Sequence, residues 1–266
     1  MTIFGVILLV VAIILFFVYR SETNKAFNLQ SARPSTTAEL KNTAMTIADD
    51  IGRGNWRDYV KVWGEIECDR PLTSPLKQLP CVAYSTTVTW EYEETRTVQD
   101  DDGNPKTETD RKTETISSDR QSVPFLLKDE TGTIQVNPDD ADMEMTSIVN
   151  EFQPEHPRGE MLSFGSFSLD VSRYSRQSSR RTVGYRYRET ILPVDRHVLV
   201  VGTVSDESNT LVIQKPINSS QTLIISFKND EAMTADAKKG AQQAFYGMVG
   251  CGVLGGILLI VGLVSG

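Results

Sequence analysis

Residues 60–94 read VKVWGEIECDRPLTSPLKQLPCVAYSTTVTWEYEE, and this stretch decides the fold. Val60, Val62 and Gly64 alternate with Lys61, Trp63 and Glu65, the two-residue period of a strand with one buried face. The cassette Arg70-Pro71-Leu72-Thr73-Ser74-Pro75-Leu76 follows. Its prolines fix φ twice and withhold two amides, which excludes helix and makes 71–80 an ordered loop between strands. After Pro80-Cys81, the residues Thr86, Val88, Trp90 and Tyr92 alternate with Thr87, Thr89, Glu91 and Glu93, so a second, longer strand is expected over 82–94.

Toward the C-terminus, 95–120 is nearly devoid of apolar residues and centres on Asp102-Gly103-Asn104-Pro105, a turn signal. It reads as an exposed hairpin that returns over 106–118. In 123–138, Phe125 and Leu127 belong to one strand, 129–132 turns, and 133–136 returns. A helical turn is expected within 139–149, and 152–170 reads as irregular. A half-buried strand is expected to run from Tyr185 through Ile191. Residues 193–204 form an apolar run suited to a strand buried on both faces, and 211–214 and 223–227 complete the sheet. Toward the N-terminus, Thr36 and Glu39 have the spacing of a capping box before the stripe Leu40, Ala44, Ile47, Ala48 and Ile51. A short helix is expected over 36–51, ended by Gly52 and Gly54 and packed on its own domain, with the membrane surface as the rival seat. With about eight to ten strands, the fold class is mainly β (α+β). The strand rhythm resembles small Greek-key barrels of the OB type.

The ends differ from this middle. Residues 2–19 and 245–264 are uncharged, and at about 18–20 residues each is long enough to cross a bilayer core. They bracket a linker over 20–35, a β domain over 36–230 with its hairpin at 95–120, and a juxtamembrane helix over 231–244. Gly252 and Gly256 form a small-xxx-small pair suited to helix packing, with the first span as one partner. Two spans return the chain to the side it left. Arg20, Lys25, Arg33, Lys41, Lys238 and Lys239 flank the spans on the inner side of the sequence, and the positive-inside rule then places the β domain in the cytoplasm.

The chain has 266 residues and a formal charge of −8, yet 173–188 (RYSRQSSRRTVGYRYR) holds six arginines and no acid. Arg173, Arg176, Arg180, Arg181, Arg186 and Arg188 form either a surface for anionic lipid headgroups or an acidic partner, or a strand face neutralised by the acidic hairpin. The net negative charge argues against nucleic acid as a partner. Catalysis finds little support. His156 and His197 lack partners at metal-binding or general-base spacing, no nucleotide loop is present, and Cys81 reads as core rather than as a nucleophile. Neither a cofactor nor a metal is expected. Cys68 and Cys81 suit either a disulfide or two reduced thiols.

Taken together, Gly64, Pro71-Leu72-x-Ser74-Pro75, Cys81-x-x-Tyr84, Phe125-x-Leu127-x-Asp129-x-Thr131-Gly132-x-x-x-Val136-x-Pro138-x-x-Ala141, Tyr187-x-Glu189-x-x-Leu192-Pro193 and Val200-x-Gly202 resemble the GIDE-type domain. It is also called the "beside a membrane" domain, and the resemblance spans about residues 60–205. The family is best known from a mitochondrial outer-membrane E3 ubiquitin ligase, which implies a membrane-apposed β domain on the non-cytosolic side, against the charge rule. It also marks Pro71, Leu72, Ser74, Pro75, Cys81 and Tyr84 as a family-motif loop. The ligase's RING domain holds two zinc ions with about eight Cys and His ligands. Three cysteines and two histidines cannot supply them. Ubiquitin transfer is therefore not expected of this chain. The expected function is a non-enzymatic, membrane-anchored interaction or sensor module that binds protein partners or itself. An accessory subunit of a larger membrane complex and an enzyme of the ligase family are the alternatives.

Overall fold

The computed structural model describes residues 2–264 except 53, 55, 100–103, 155–160, 166, 176–179, 208, 209 and 219; it leaves aside the side chains at 51, 173, 175 and 263. In chain order the elements are α1 (Thr2–Ser31), β1 (Arg33–Pro34), α2 (Thr37–Ile51), β2 (Arg57–Glu67), β3 (Leu72–Thr73), β4 (Pro80–Gln99), β5 (Pro105–Ser122), β6 (Phe125–Asp129), β7 (Gly132–Val136), β8 (Asp142–Met143), β9 (Thr146–Pro154), β10 (Met161–Phe164), β11 (Phe167–Asp170), α3 (Ser172–Ser175), β12 (Arg180–Pro193), β13 (His197–Ser205), β14 (Val212–Gln214), β15 (Ile224–Ser226) and α4 (Asp230–Val264). They form two units. The first takes Met1–Glu65, Leu127–Asp142 and His197–Gly266; the second takes Ile66–Leu126 and Met143–Arg196.

The first unit is built on a closed barrel. Hydrogen bonding runs β2-β6-β7-β14-β13 and returns from β13 to β2, a ring of five strands. Numbered within the ring in chain order, the strands follow 1-2-3-5-4, and the pair formed by the third and fifth is parallel. This is the Greek-key connectivity of OB-type barrels. The second unit is inserted after the first ring strand and again after the third. Alternation explains why the ring forms. Val60 and Val62 of β2 and Val198 and Val200 of β13 are buried, with Val62 opposite Val200, Val60 opposite Gly202 and Val198 opposite Gly64. Closure is tight at two glycines of the family motif. A Cβ on Gly64 would lie 2.5 Å from the Lys128 carbonyl oxygen, and one on Gly202 would lie 2.7 Å from Leu223 Cδ1. The second face of β13 is buried as well. Leu199 and Val201 cluster with Leu29, Ala32, Tyr59, Ile224 and Met233, which seats the ends of α1 and α4 on the barrel.

The two terminal helices are long and apolar enough to cross a membrane. They pack antiparallel: Gly5 meets Leu259, Leu15 meets Gly247, and Glu22 meets Gly240. One expected boundary moves. Most of the 20–35 linker is helix, because α1 continues to Ser31, with Leu29 fully buried in the cluster against the barrel. Packing overrides the polar composition there, and Pro34 helps stop the helix by disfavouring α geometry at Arg33. Residues 231–244 and 245–264 are likewise one continuous helix. α2 starts as the spacing predicts, with the Thr36–Glu39 capping box formed and Gly52 as C-cap.

The second unit is an antiparallel sheet in the order β3-β4-β12-β9, with β5 also paired to β4. The polar hairpin is real: β4 and β5 pair from Ala83↔Ser122 to Gln99↔Pro105. Its core joins Val88, Trp90, Tyr92, Ile116, Val149, Tyr185 and Tyr187, and the side chains of Phe164, Phe167 and Tyr174 pack against it. Trp90 and Tyr92 stack with centroids 4.1 Å apart. Two expectations fail. Strands β8 and β9 replace the helical turn at 139–149, and β9 with the hairpin β10–β11 orders much of 152–170. β9 exists because β12 pairs with it across about forty residues, and local pattern carries no trace of such a partner. These elements and the two-residue pairings bring the described strands to fifteen.

Candidate functional site

The family-motif loop folds over a buried charge. Glu189 sits in the middle of β12 and is fully buried. Pairing with β4 sets Thr86 opposite it, and the Thr86 hydroxyl donates to Glu189 Oε1 at 3.0 Å. The cassette supplies the remaining donors. The Ser74 hydroxyl reaches Oε2 at 3.0 Å, the Leu76 amide Oε1 at 2.8 Å and the Lys77 amide Oε2 at 3.0 Å. A buried carboxylate is costly unless donors fill its lone pairs, and here four do so. The loop also closes on itself. The Ser74 amide donates to the Leu79 carbonyl at 2.9 Å, and the Gln78 amide to the Ser74 carbonyl at 3.0 Å, with Gln78 at φ 57. The base of the loop is therefore rigid, while Lys77, Gln78, Leu79 and Pro80 face solvent.

This arrangement orders the loop, and its carboxylate, thiol and phenol are engaged or buried. Both Glu189 oxygens are engaged. Cys81 is a free thiol, fully buried, and burial, then the Glu189 charge, push it up to about 11. The Tyr84 hydroxyl donates to Asp119 at 2.8 Å, and burial together with that carboxylate raises it to about 12. Cys68 and Cys251 are free too, so the disulfide alternative does not hold. Pro71 and Leu72 open the loop, Leu72 pairing with Cys81 across β3 and β4.

The arginines face a row of glutamates. Arg180 Nε lies 2.8 Å from Glu94 Oε1, and its guanidinium stands 4.8 Å from the Tyr92 ring centroid. Arg181 pairs with Glu93 at 2.8 Å and Arg186 with Glu91 at 3.0 Å. From the opposite side, β5 adds Arg111 to Glu91 at 2.7 Å and Lys112 to Glu94. Burial works against the Glu91 charge, but the bonds from Arg111 and Arg186 outweigh it and hold the carboxyl below its usual range. Lys112 and Arg180 do the same for Glu94. Arg180, Arg181 and Arg186 are thus paired, mainly with Glu91, Glu93 and Glu94 of β4 and less with the 95–120 hairpin, where Glu114 lies 3.7 Å from Arg180. Arg188 is exposed. Arg176 and the Arg173 side chain lie outside the described residues.

In the first unit, Asp129 plays the part that Glu189 plays in the second. Its carboxylate accepts from the amides of Thr131 and Gly132 at 2.8 and 3.0 Å, and from the amide and hydroxyl of Thr37 at 2.7 Å each. It closes the β6–β7 turn and caps the start of α2. Burial opposes its charge; the bonds from Thr131 and Thr37 prevail and lower its pKa.

Gly252 and Gly256 do not contact the first span, since a Cβ on either would meet nothing within 4 Å. The glycines of α4 that face α1 are 240, 247, 255 and 262, spaced by seven or eight residues. That near-heptad spacing is visible in the sequence and is the signal that a search for a four-residue step overlooks. Glu189 as the loop's anchor was equally unforeseen. His197 is exposed and its ring lies 6.2 Å from Trp63; His156 lies outside the described residues. Among the described residues no group of three His, Cys, Asp or Glu side chains is placed to hold a metal ion.

Comparison with protein families gives a match to GIDE, described as E3 ubiquitin ligase, over residues 93–262, well over half of the chain. The match takes in the motif residues from Phe125 to Gly202 and continues into α4, while the 71–84 cassette precedes it. Neither the curated proteins nor the solved structures give a match.

Proposed function

The chain belongs to the GIDE family, and on that footing we propose that it acts as a membrane-anchored interaction module, not as the agent of ubiquitin transfer. Its E3-ligase-related domain is held at a bilayer by α1 and α4 crossing antiparallel. The second unit offers the tip of the 71–80 loop to protein partners. The observation that carries this reading is the fully buried Glu189 beneath that loop. Four donors lock the base while Leu79, 42% exposed, and its neighbours remain outside. A recognition loop ordered before binding loses less entropy when a partner arrives. The raised Cys81 thiol and the saturated carboxylate support a binding role over a covalent one.

The test is the mass and composition of the full chain extracted in native lipid particles, with Leu79→Asp alongside. The module reading expects defined companion chains or a defined self-assembly, reduced by Leu79→Asp. A lone monomer, or companions indifferent to that change, would sink it. A second reading, an accessory subunit that packs its spans on partner helices, draws on the open outer face of α4 at Gly252 and Gly256. Replacing both with Leu should then release partners that Leu79→Asp leaves bound.

A further inference from the structure

The outer face of the barrel carries an aromatic groove that the loop reading does not use. Trp63 is 41% exposed, whereas Trp56 and Trp90 are buried at 8% and 0%. It stands on β2 between two hollows of about 360 and 520 Å³ that share Ser35 and Trp63 in their walls. His197 extends the aromatic surface. Glu231 lines one hollow, and Glu65 and Glu130 line the other. None of these three carboxylates forms an ion pair among the described residues. Of the lysines in the walls, Lys61 is already committed, its ammonium 2.6 Å from Asp230 and 3.0 Å from the Leu29 carbonyl, and Lys128 stands in the second hollow against three acids, Glu65, Asp129 and Glu130, which leaves that hollow net negative.

We propose that this groove binds a lysine- or arginine-bearing segment of a partner protein, one cationic side chain lying over the Trp63 indole and flanked by Glu65 and Glu130. The inference deepens the interaction-module reading and rests on it. Charge complementarity selects the occupant. An anion would meet three carboxylates, and a purely apolar ligand would strip water from them without return. A cation meets both the ring quadrupole and the carboxylates. A lipid headgroup is out of reach if Phe245 begins the membrane span. Asp230, in the groove wall, precedes it by about fifteen helical residues, or about 22 Å.

The experiment uses the full chain in phosphatidylcholine nanodiscs and a fluorescein-labelled decapeptide with two arginines and no acid, read by anisotropy beside its double-glutamine counterpart. The arginine peptide should bind saturably and more weakly as salt rises, and the glutamine peptide should not bind. Trp63→Ala should weaken binding about two- to thirty-fold, the span of a cation over an aromatic face. Glu65→Gln with Glu130→Gln should weaken it several-fold and flatten the salt dependence. The double variant keeps the test decisive should Trp63→Ala misfold. Failure of the arginine peptide to bind, equal binding of both peptides, or wild-type affinity in the variants overturns the groove. Companion chains that stay with Trp63→Ala but leave with Leu79→Asp would end this inference and spare the module reading.

Discussion

Asp129 and Glu189 are both acidic residues of the family motif, and each organises one unit, but they do so over different distances along the chain. Asp129 collects its turn donors from Thr131 and Gly132, two and three residues away, and adds only the amide and hydroxyl of Thr37 from 92 residues away. Glu189 collects its cassette donors from 112 to 115 residues away and lies wholly buried. A carboxylate that takes three of its five donors from its own turn depends less on distant contacts. A long-range, buried one is the reason its loop has a shape.

The largest effect should therefore follow Glu189→Ala. Four donors lose their acceptor in a site closed to solvent, which should cost on the order of 3–5 kcal/mol by denaturant unfolding. Amides of 76–79 should lose hydrogen-exchange protection before the β4–β12 pairing does. Glu189→Gln keeps the shape but turns one oxygen into a donor facing donors, and should fall between the variant and wild type. If Glu189→Ala unfolds at the wild-type midpoint, the contrast between the two carboxylates collapses.

The same contrast explains what could be read from the sequence. The capping box of α2, the β6–β7 turn, the alternation of β2 and the apolar run of β13 are local, and each is legible from residues a few positions apart. The barrel was suggested by strand rhythm, but its closure depends on β13 meeting β2, more than a hundred residues away. β9 and the β10–β11 hairpin were missed because their reason for existing is a distant partner and an aromatic core to cover. The arginine strip was visible as charge. Charge alone points to the 95–120 hairpin as its counterpart, yet the glutamates that answer Arg180, Arg181 and Arg186 lie mainly on the strand before it, at 91, 93 and 94. The prolines of the cassette mark it as ordered; nothing near it in the sequence announces Glu189.

A smaller loss should follow Asp129→Asn, about 1–2 kcal/mol, the scale of a lost helix cap. Its pH dependence identifies the cause. The folded-state pKa lies below the unfolded value of about 3.9, so the contribution is present above that value and is lost as pH falls through the folded pKa. Thermal melts of wild type and Asp129→Asn should begin to draw together as pH falls below about 3.9. Curves that stay parallel would mean that the carboxylate's charge does not stabilise the turn.

The smallest effects should come from the arginine ladder, and they should scale with burial. Glu91 is 8% exposed and bridges Arg186 and Arg111, whereas the Arg181 side chain is 76% exposed over Glu93. A double-mutant cycle on Arg186→Ala and Glu91→Gln should return a coupling of about 1 kcal/mol; the cycle on Arg181→Ala and Glu93→Gln should return about 0.3 kcal/mol or less, because exposed pairs are screened. Reversal of charge at Arg181 then isolates the alternative use of this strip. The guanidinium is exposed enough to touch a headgroup, so Arg181→Glu would weaken binding to phosphatidylserine vesicles if the strip served lipid. With its partner glutamates in place, the ladder instead predicts unchanged vesicle binding and a small loss of hydrogen-exchange protection at the far end of β12. In that case the positive charge of the strip stiffens a hairpin stem, and recognition lies with the loop that Glu189 holds.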